Sequence, residues 1–216
     1  MPSTAFTAQG STLTIGAVVT AKNITAITQA SPGSFTSTAH GLLAGAVVVI
    51  ASVVGMLQVN GLVGVVRSDV TANTFTLGGI NTTAFTAYTS GGTATGIAAA
   101  IGNMTAFPLP GGAKAEIDVT NLNSTNKEYI AGNADLGTMT VNFDVDGASP
   151  SDQGQQALRS SNLCSGNVPS AFVCTLPNGR TRAFTGFVKQ YGETSGVDQK
   201  YAGTAAIRIV SFITYG

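Results

Sequence analysis

One run of the sequence constrains the fold more than any other, because residues 41–66 contain no formally charged side chain. A hydrophobic stretch of about 18 residues is long enough to suggest a transmembrane helix. Five glycines interrupt this run, however, and its apolar residues are largely valine, which favours strands. No Lys or Arg cluster lies beside it to set a membrane topology. Since the run divides naturally at Val54-Gly55 and Asn60-Gly61, it predicts two or three β-strands and no membrane span.

The composition also favours β structure. Of the 216 residues, 44% are hydrophobic, which is enough to bury a core, but only 9% are charged, against about 25% in a typical chain. Soluble helices usually carry charged residues on their wet face, so this low charge points away from helices. Ten acidic and ten basic residues cancel, which indicates neither a basic nucleic-acid patch nor an acidic tail.

The charges are unevenly placed along the chain. Between Lys22 and Lys114 only Arg67 and Asp69 are formally charged, and the C-terminal half carries the remainder. This change in composition predicts two modules. A surface with so few charges tends to associate, which suggests that other subunits cover it.

The C-terminal half contains a strand with strict alternation, "TMTVNFDVDG". The side chains of Val141, Phe143 and Val145 are expected on one face. The opposite face, which we expect to be wet and acidic, carries three polar residues: Asn142, Asp144 and Asp146.

Two further local elements are predicted downstream. The stretch "SPSDQGQQALRSS" predicts the one helix, with Ser149 as its N-cap and Pro150 at the first helical position. Gly154 weakens this helix, so we expect about three turns at most. In "AFVCTLPNGRTRAFTGFV", Asn178-Gly179 predicts a hairpin turn with positive φ.

Catalytic and metal-binding motifs are absent from the sequence, which predicts no enzyme, no cofactor and no metal. The sole histidine, His40, is expected to form local hydrogen bonds before Gly41. Cys164 and Cys174 could form a disulfide that closes a short loop beside the hairpin. Unlinked thiols are the favoured expectation, because the N-terminus lacks the features of a secretory signal and a cytoplasm is reducing.

Four stretches, in order, resemble the major tail tube protein of long, non-contractile-tailed, lambda-like bacteriophages. They are "EIDVTNLNSTNKEYIAGNADLGTMTVNFDVDG", "DQGQQALR", "PNGRTRAFTGFV" and "VDQKYAGTAAIRIVSF". The resemblance implies a mainly β fold, a tail-tube β-sandwich or barrel with one short helix, formed by residues 1–23 and 98–216. Residues 24–97 resemble a small all-β module that is inserted into various phage structural proteins, through "GMLQVNG" and "NTFTLGGINTTAFTAYTSGG" among others.

The resemblance also implies a function. Such proteins form hexameric rings that stack into the virion tail tube, which holds the tape-measure protein and later conducts DNA during ejection. The other implied partners are the tail terminator and tail-tip proteins, with assembly in the host cytoplasm. Because a cationic bore would hold DNA, we expect the acidic strand face to line the lumen. The lumen candidates are Asn142, Asp144, Asp146, Glu116 and Asp118.

The stretch "NLNSTNKEYIAGNADLG" is predicted to be a long loop that contacts the next ring, because such long loops in compact domains are usually functional. Its candidate contact residues are Asn123, Lys127, Glu128, Tyr129, Asn133 and Asp135. The inserted module is expected to decorate the outer surface. Three alternatives stay open: the tube subunit of a gene-transfer particle, that of a tail-like bacteriocin, or a β-rich surface adhesin that binds carbohydrate.

Overall fold

The computed structural model describes residues 7–108, 111–147, 151–166, 168–211 and 214–216. The prediction of a mainly β chain with one short helix is confirmed for these residues. The strands are β1 (Thr12–Asn23), β2 (Ala26–Ile27), β3 (Ser34–Thr36), β4 (Val47–Val54), β5 (Val63–Val65), β6 (Thr74–Thr76), β7 (Ser90–Ala100), β8 (Met104–Ala106), β9 (Ala113–Asp118), β10 (Tyr129–Asp135), β11 (Thr138–Asp144), β12 (Ser170–Thr175), β13 (Thr181–Thr194), β14 (Ala202–Ile209) and β15 (Thr214–Tyr215). Helix α1 spans Gln153–Leu163, and a 3-10 turn spans Leu57–Val59.

The strands of the described residues form three antiparallel sheets. The largest has ten strands in the order β5-β4-β7-β1-β12-β13-β14-β11-β8, with β15 paired to β13. Strands β7 and β8 follow one another in the chain, yet β7 pairs with β1 and β8 pairs with β11. Only residues 101–103 separate them. The sheet from β7 to β8 therefore curls back on itself into an open barrel, in which β7 and β8 are close in the chain but not paired; we call it the barrel.

The inside of this barrel is one apolar cluster, the barrel core. Strand β11 contributes Met139, Val141 and Phe143, which are all buried, as the predicted alternation requires. Phe172 and Phe184, from β12 and β13, stack with ring centroids 5.3 Å apart. Helix α1 packs against the same cluster through Ala157 and Leu158.

The charge-free run forms strands β4 and β5, joined by the 3-10 turn. Within the described residues, no helix is long and apolar enough to span a membrane. Val47 and Val65 belong to the barrel core, whereas Val48 and Ile50 belong to a second core that the three-stranded sheet β2-β3-β6 helps to enclose. Because neighbouring side chains of a strand point to opposite faces, the run is buried on both sides. This double burial explains why it carries no charge.

The second core draws its buried residues from positions 24–94, and Phe35 stacks on Phe75 at 5.2 Å within it. Asn23 pairs with Thr93, so the chain enters and leaves this region at neighbouring points. Strand β7 crosses the boundary predicted at residues 97 and 98, and β4 extends the larger sheet. The division into a tube domain and an inserted module stays a prediction.

Helix α1 differs in one respect from the predicted helix, because it begins at Gln153, after Asp152. The proposed cap residues Ser149 and Pro150 lie outside the described residues. Its 11 residues make about three turns, as expected. A side chain at Gly154 would collide with the carbonyl oxygen of Ala100. Glycine is therefore what allows this end of the helix to lie directly on strand β7.

The hairpin of β12 and β13 is confirmed. Gly179 has a φ of +81°, and the side-chain oxygen of Asn178 accepts a hydrogen bond from the Arg180 N–H at 3.1 Å. The turn therefore uses positive φ at the glycine, while the asparagine closes it through its side chain.

Candidate functional site

Strands β9 and β10 form a two-stranded hairpin that projects from the barrel. We call residues 113–135 the arm and residues 119–128, which join its strands, the tip. In the chain, the arm lies between β8 and β11, and these two strands pair with each other. The arm therefore continues from the end of that strand pair and extends beyond the barrel. The predicted long loop is therefore wrong in its second half, where Tyr129–Asp135 is a strand. Asparagine and glycine disfavour strands, and they obscured the β-forming Tyr129 and Ile130.

The arm has two chemically different faces. Ile117 and Ile130 are direct cross-strand partners and share one face. Glu116 pairs with Ala131 and Asp118 pairs with Tyr129, and these pairs lie on the other face. Ile117 is 48% exposed and Ile130 is 53% exposed, so the apolar face is uncovered in the isolated chain.

An ion pair lies at the root of the arm, the place where its two strands meet the barrel. The Asp135 carboxylate lies 2.8 Å from an Arg208 guanidinium nitrogen on β14, and its Oδ1 accepts a hydrogen bond from the Gly137 N–H at 2.8 Å. The hydrogen bond from Gly137, followed by the charge of Arg208, lowers the pKa of Asp135. Gly112, just before β9, and Gly137, just after β10, have positive φ values of +73° and +81°.

The six residues predicted to contact a neighbouring ring all lie on the arm. Asn123, Lys127 and Glu128 are in the tip, whereas Tyr129, Asn133 and Asp135 are on β10; all six are exposed. The structure thus brings the whole set together on one protruding element, although their contact role stays a prediction.

The five lumen candidates, in contrast, fall into three places. Asn142 and Asp144 lie on the outer face of β11, where Asn142 accepts a hydrogen bond from the Thr204 hydroxyl at 3.0 Å. Asp144 forms an ion pair with Lys200 at 2.9 Å, so this face is wet without being strongly acidic. Glu116 is on the polar face of the arm.

Asp118 shares the polar face of the arm with Glu116. Hydrogen bonds from the side chain and the backbone N–H of Thr120 lower the pKa of Asp118, and Lys127 lies 3.5 Å away. This carboxylate is therefore already paired within the arm.

Asp146 follows the end of β11 and lies beside helix α1. Its backbone N–H donates to the Gln155 side chain at 3.0 Å, and its carboxylate is 3.4 Å from the Asn103 amide. The expectation that Asp144 and Asp146 share one strand face is therefore corrected, because the strand ends at Asp144 and the chain then turns toward the helix.

A cavity of about 550 Å³ adjoins Asp146. Helix α1, the end of β13 and residues of the 24–97 segment line it, including Leu62, Ile80, Asp146, Asp152, Leu163 and Glu193. Within it, the Tyr191 hydroxyl donates to the Glu193 carboxylate at 2.6 Å, and burial, with the hydrogen bond and charge of Glu193, raises the pKa of Tyr191. Sequence reasoning missed this cavity, because its walls come from segments that are far apart in the chain.

The histidine and the two cysteines, the side chains with the most catalytic potential, have structural surroundings in this fold. His40 is buried, and its Nδ1 accepts a hydrogen bond from the Leu42 N–H at 3.0 Å, which is the local role predicted for it. Its ring packs edge-on against Phe75 in the second core. In the described part of the chain, Cys164 and Cys174 are free thiols and no cluster of metal-ligating residues occurs.

Comparison with known proteins identifies the family of this chain. The family described as "Phage tail tube, TTP, lambda-like" matches residues 79–214, which is more than half of the chain. A chain of the anti-feeding prophage (AFP) baseplate, solved by cryo-electron microscopy with six-fold symmetry imposed, is 12% identical, with a TM-score of 0.39 over 53% of this chain and 78% of that one. So low a TM-score supports no conclusion. No curated protein matches the sequence. On the family match, this chain belongs to the lambda-like phage tail tube family and is a structural component of the virion tail.

Proposed function

We propose that this protein forms hexameric rings that stack into a tail tube, and that the tube conducts DNA during ejection. The observation that carries the proposal is the arm. An isolated two-stranded hairpin is marginally stable in water, and this one also exposes the apolar face of Ile117 and Ile130. Exposed apolar surface on a protruding element is typical of a contact between subunits. A second copy of the chain is the natural occupant in a family of tube proteins.

The edges of the large sheet support lateral contacts within a ring. Strand β5, at one end, is covered, because the Val65 N–H donates to Ser160 on helix α1 and the Val65 carbonyl accepts from the Gly78 N–H. Strand β8, at the other end, has a strand partner on one side only within the described residues. An open strand edge readily pairs with another chain. We therefore propose that β8 faces a neighbouring subunit of the ring.

We assign the outer face of β11, with Asn142 and Asp144, to the lumen, together with Glu116 and Asp118 on the arm. DNA carries about one negative charge per 1.7 Å of duplex, so a wall without excess positive charge does not retain it. Lys200 is paired with Asp144 and Arg208 with Asp135, and Lys114 shares the polar face of the arm with Glu116, which leaves this region close to neutral. Asp146 lies beside the cavity, so we assign it to that site instead.

Electron microscopy of the purified full-length protein tests the proposal. Hollow tubes or six-fold rings in negative stain are the expected result. A chain that stays monomeric at every concentration, as analytical ultracentrifugation would measure, contradicts it. A tape-measure protein, a terminator and tail-tip proteins are the expected further partners, and co-purification of tails from infected cells would identify them.

A further inference from the structure

The arm and the cavity lie at opposite ends of the barrel. The arm joins β11 just before Thr138, whereas Val145 and Asp146, which follow the other end of β11, line the cavity. Seven residues at about 3.3 Å each place the two features roughly 20 Å apart along the strand direction. When copies of one chain stack head to tail, an element at one end of a copy meets a surface at the opposite end of the next.

The cavity combines an apolar wall with an acidic rim. Leu62, Ile80 and Leu163 provide apolar surface, and Leu163 is half exposed. The charged groups that line the cavity are three carboxylates and one guanidinium. They belong to Asp146, Asp152, Glu193 and Arg159. Asp152 Oδ2 accepts a hydrogen bond from the Gln156 side chain at 2.5 Å, whereas its buried Oδ1 has no hydrogen-bond partner in the described part of the chain. With three carboxylates and one guanidinium, the lining carries a formal negative charge.

The tip of the arm has the complementary chemistry. Leu122 is fully exposed, so its whole side chain is available to be buried. Lys127 is also exposed, and its present partner, Asp118, is 3.5 Å away in a solvent-accessible ion pair that holds the ammonium group only weakly.

The tip is held in shape by its own hydrogen bonds. The Asn121 N–H donates to the Ser124 hydroxyl at 3.1 Å, and the Glu128 N–H donates to the Thr120 hydroxyl at 3.0 Å. A preorganised loop loses less conformational entropy when it binds.

We propose that the cavity between helix α1 and the 24–97 segment receives the arm tip of a second copy, with Leu122 against its apolar wall and Lys127 at its acidic rim. The inference rests on the proposed function and specifies where the arm docks. The contact joins two different surfaces, so it repeats without closing and produces an open-ended stack. It also gives the 24–97 segment a role, because that segment supplies Leu62 and Ile80 to the wall.

The first test replaces the apolar contact in full-length protein. Leu122→Asp should raise the critical concentration for tube formation about tenfold or more, the factor that 1.4 kcal/mol of lost binding produces. Leu57→Asp is the matched control, because Leu57 is a highly exposed leucine away from both surfaces. Equal assembly of the two variants would overturn the inference. Circular dichroism checks that each variant is folded.

The second test exchanges the charges. Lys127→Glu and Glu193→Lys should each weaken stacking, and the double variant should recover most of the loss, since the ion pair is re-formed in the opposite sense. If the double variant assembles no better than the weaker single variant, Lys127 does not meet this rim. Both positions are exposed, although Glu193→Lys also removes the acceptor of the Tyr191 hydroxyl, so circular dichroism must show that each variant is folded.

The third test uses the asymmetry of the contact. Leu122→Asp protein retains its cavity, and Leu163→Lys protein, with a blocked cavity, retains its arm. Neither should form tubes alone, while a mixture should form short stacks in which one variant binds the other. Absence of any complex in the mixture overturns the docking site. If the unmodified protein itself never assembles, the proposed function fails instead, so the two failures are distinguishable.

Discussion

The hydroxyl of Ser160 on helix α1 accepts a hydrogen bond from the backbone N–H of Val65 at 2.7 Å and donates one to the carbonyl of Gly78 at 2.9 Å. Ser160 is buried, and both of its partners lie in the 24–97 segment. One side chain therefore closes the edge of the ten-stranded sheet and joins that segment to the helix.

Replacing this hydroxyl should destabilise the whole chain. Ser160→Ala leaves the Val65 N–H and the Gly78 carbonyl without their partner inside the protein, which costs about 1–3 kcal/mol. Chemical denaturation, followed by circular dichroism, measures the change in the free energy of unfolding. Ser68→Ala, at an exposed position, serves as the control and should change little. Identical unfolding curves for the two variants would show that the Ser160 bridge is energetically unimportant.

The root of the arm should loosen in acid. Because the pKa of Asp135 in the folded protein lies below that of an ordinary aspartate, ionised Asp135 stabilises the root above about pH 4, and this contribution is lost as the pH falls through its folded pKa. Asp135→Asn should abolish this pH dependence. Hydrogen exchange at pH 7 should then show faster exchange of arm amides in Asp135→Asn than in the wild type, with the barrel unchanged. Unaltered arm exchange would exclude a role for the Arg208 ion pair.

How far the sequence could predict this fold depends on the range of the interactions. Alternation along β11 and the Asn178-Gly179 turn are local signals, and both were correctly predicted. The double burial of β4 is not local, because two cores from separate parts of the chain meet on its faces. The absence of charge in residues 41–66 predicts that the run is buried, but it does not predict which parts of the chain cover each face.

The site was less predictable for the same reason. The stretch that contains β10 is predicted from its sequence to be a long contact loop, whereas the structure pairs its second half with β9. Asp144 and Asp146 were placed together by period-two alternation, which fails once a strand ends. From the sequence alone, Gly154 predicts a weaker helix, whereas in the structure the close backbone of Ala100 requires a glycine at this position.

Gly154→Ala should therefore destabilise the protein, although alanine favours helices. The new methyl group meets the backbone of Ala100 and Ile101, which cannot move aside as a side chain can, so a cost of about 1–3 kcal/mol is expected. Thermal unfolding measures it. Gly192→Ala is the control, because a methyl group there meets open space. A Gly154→Ala protein as stable as the control would mean that α1 can shift away from β7.

Both thiols should react slowly in the folded protein. Burial raises the pKa of Cys164 to about 11 and also raises the pKa of Cys174. Only the thiolate is nucleophilic, so at pH 8 roughly one Cys164 in a thousand is in the reactive form. Iodoacetamide labelling, followed by mass spectrometry, should modify both residues much faster after denaturation. Rapid labelling of the native chain at Cys164 would show that α1 opens readily.

The lumen assignment makes a charge-dependent prediction about DNA. Asp144→Lys places a cation on the outer face of β11 and frees Lys200, so tubes of this variant should retain duplex DNA at low salt and release it as salt rises. Wild-type tubes should retain little. Co-sedimentation of tubes with labelled DNA measures retention, and tail-ejection rates of the corresponding phage should fall. Asp69→Lys, in the 24–97 segment, is the matched control, because it also changes the formal charge by two and releases a paired cation, Arg67. If both variants bind DNA equally, or neither does, this face of β11 does not line the bore.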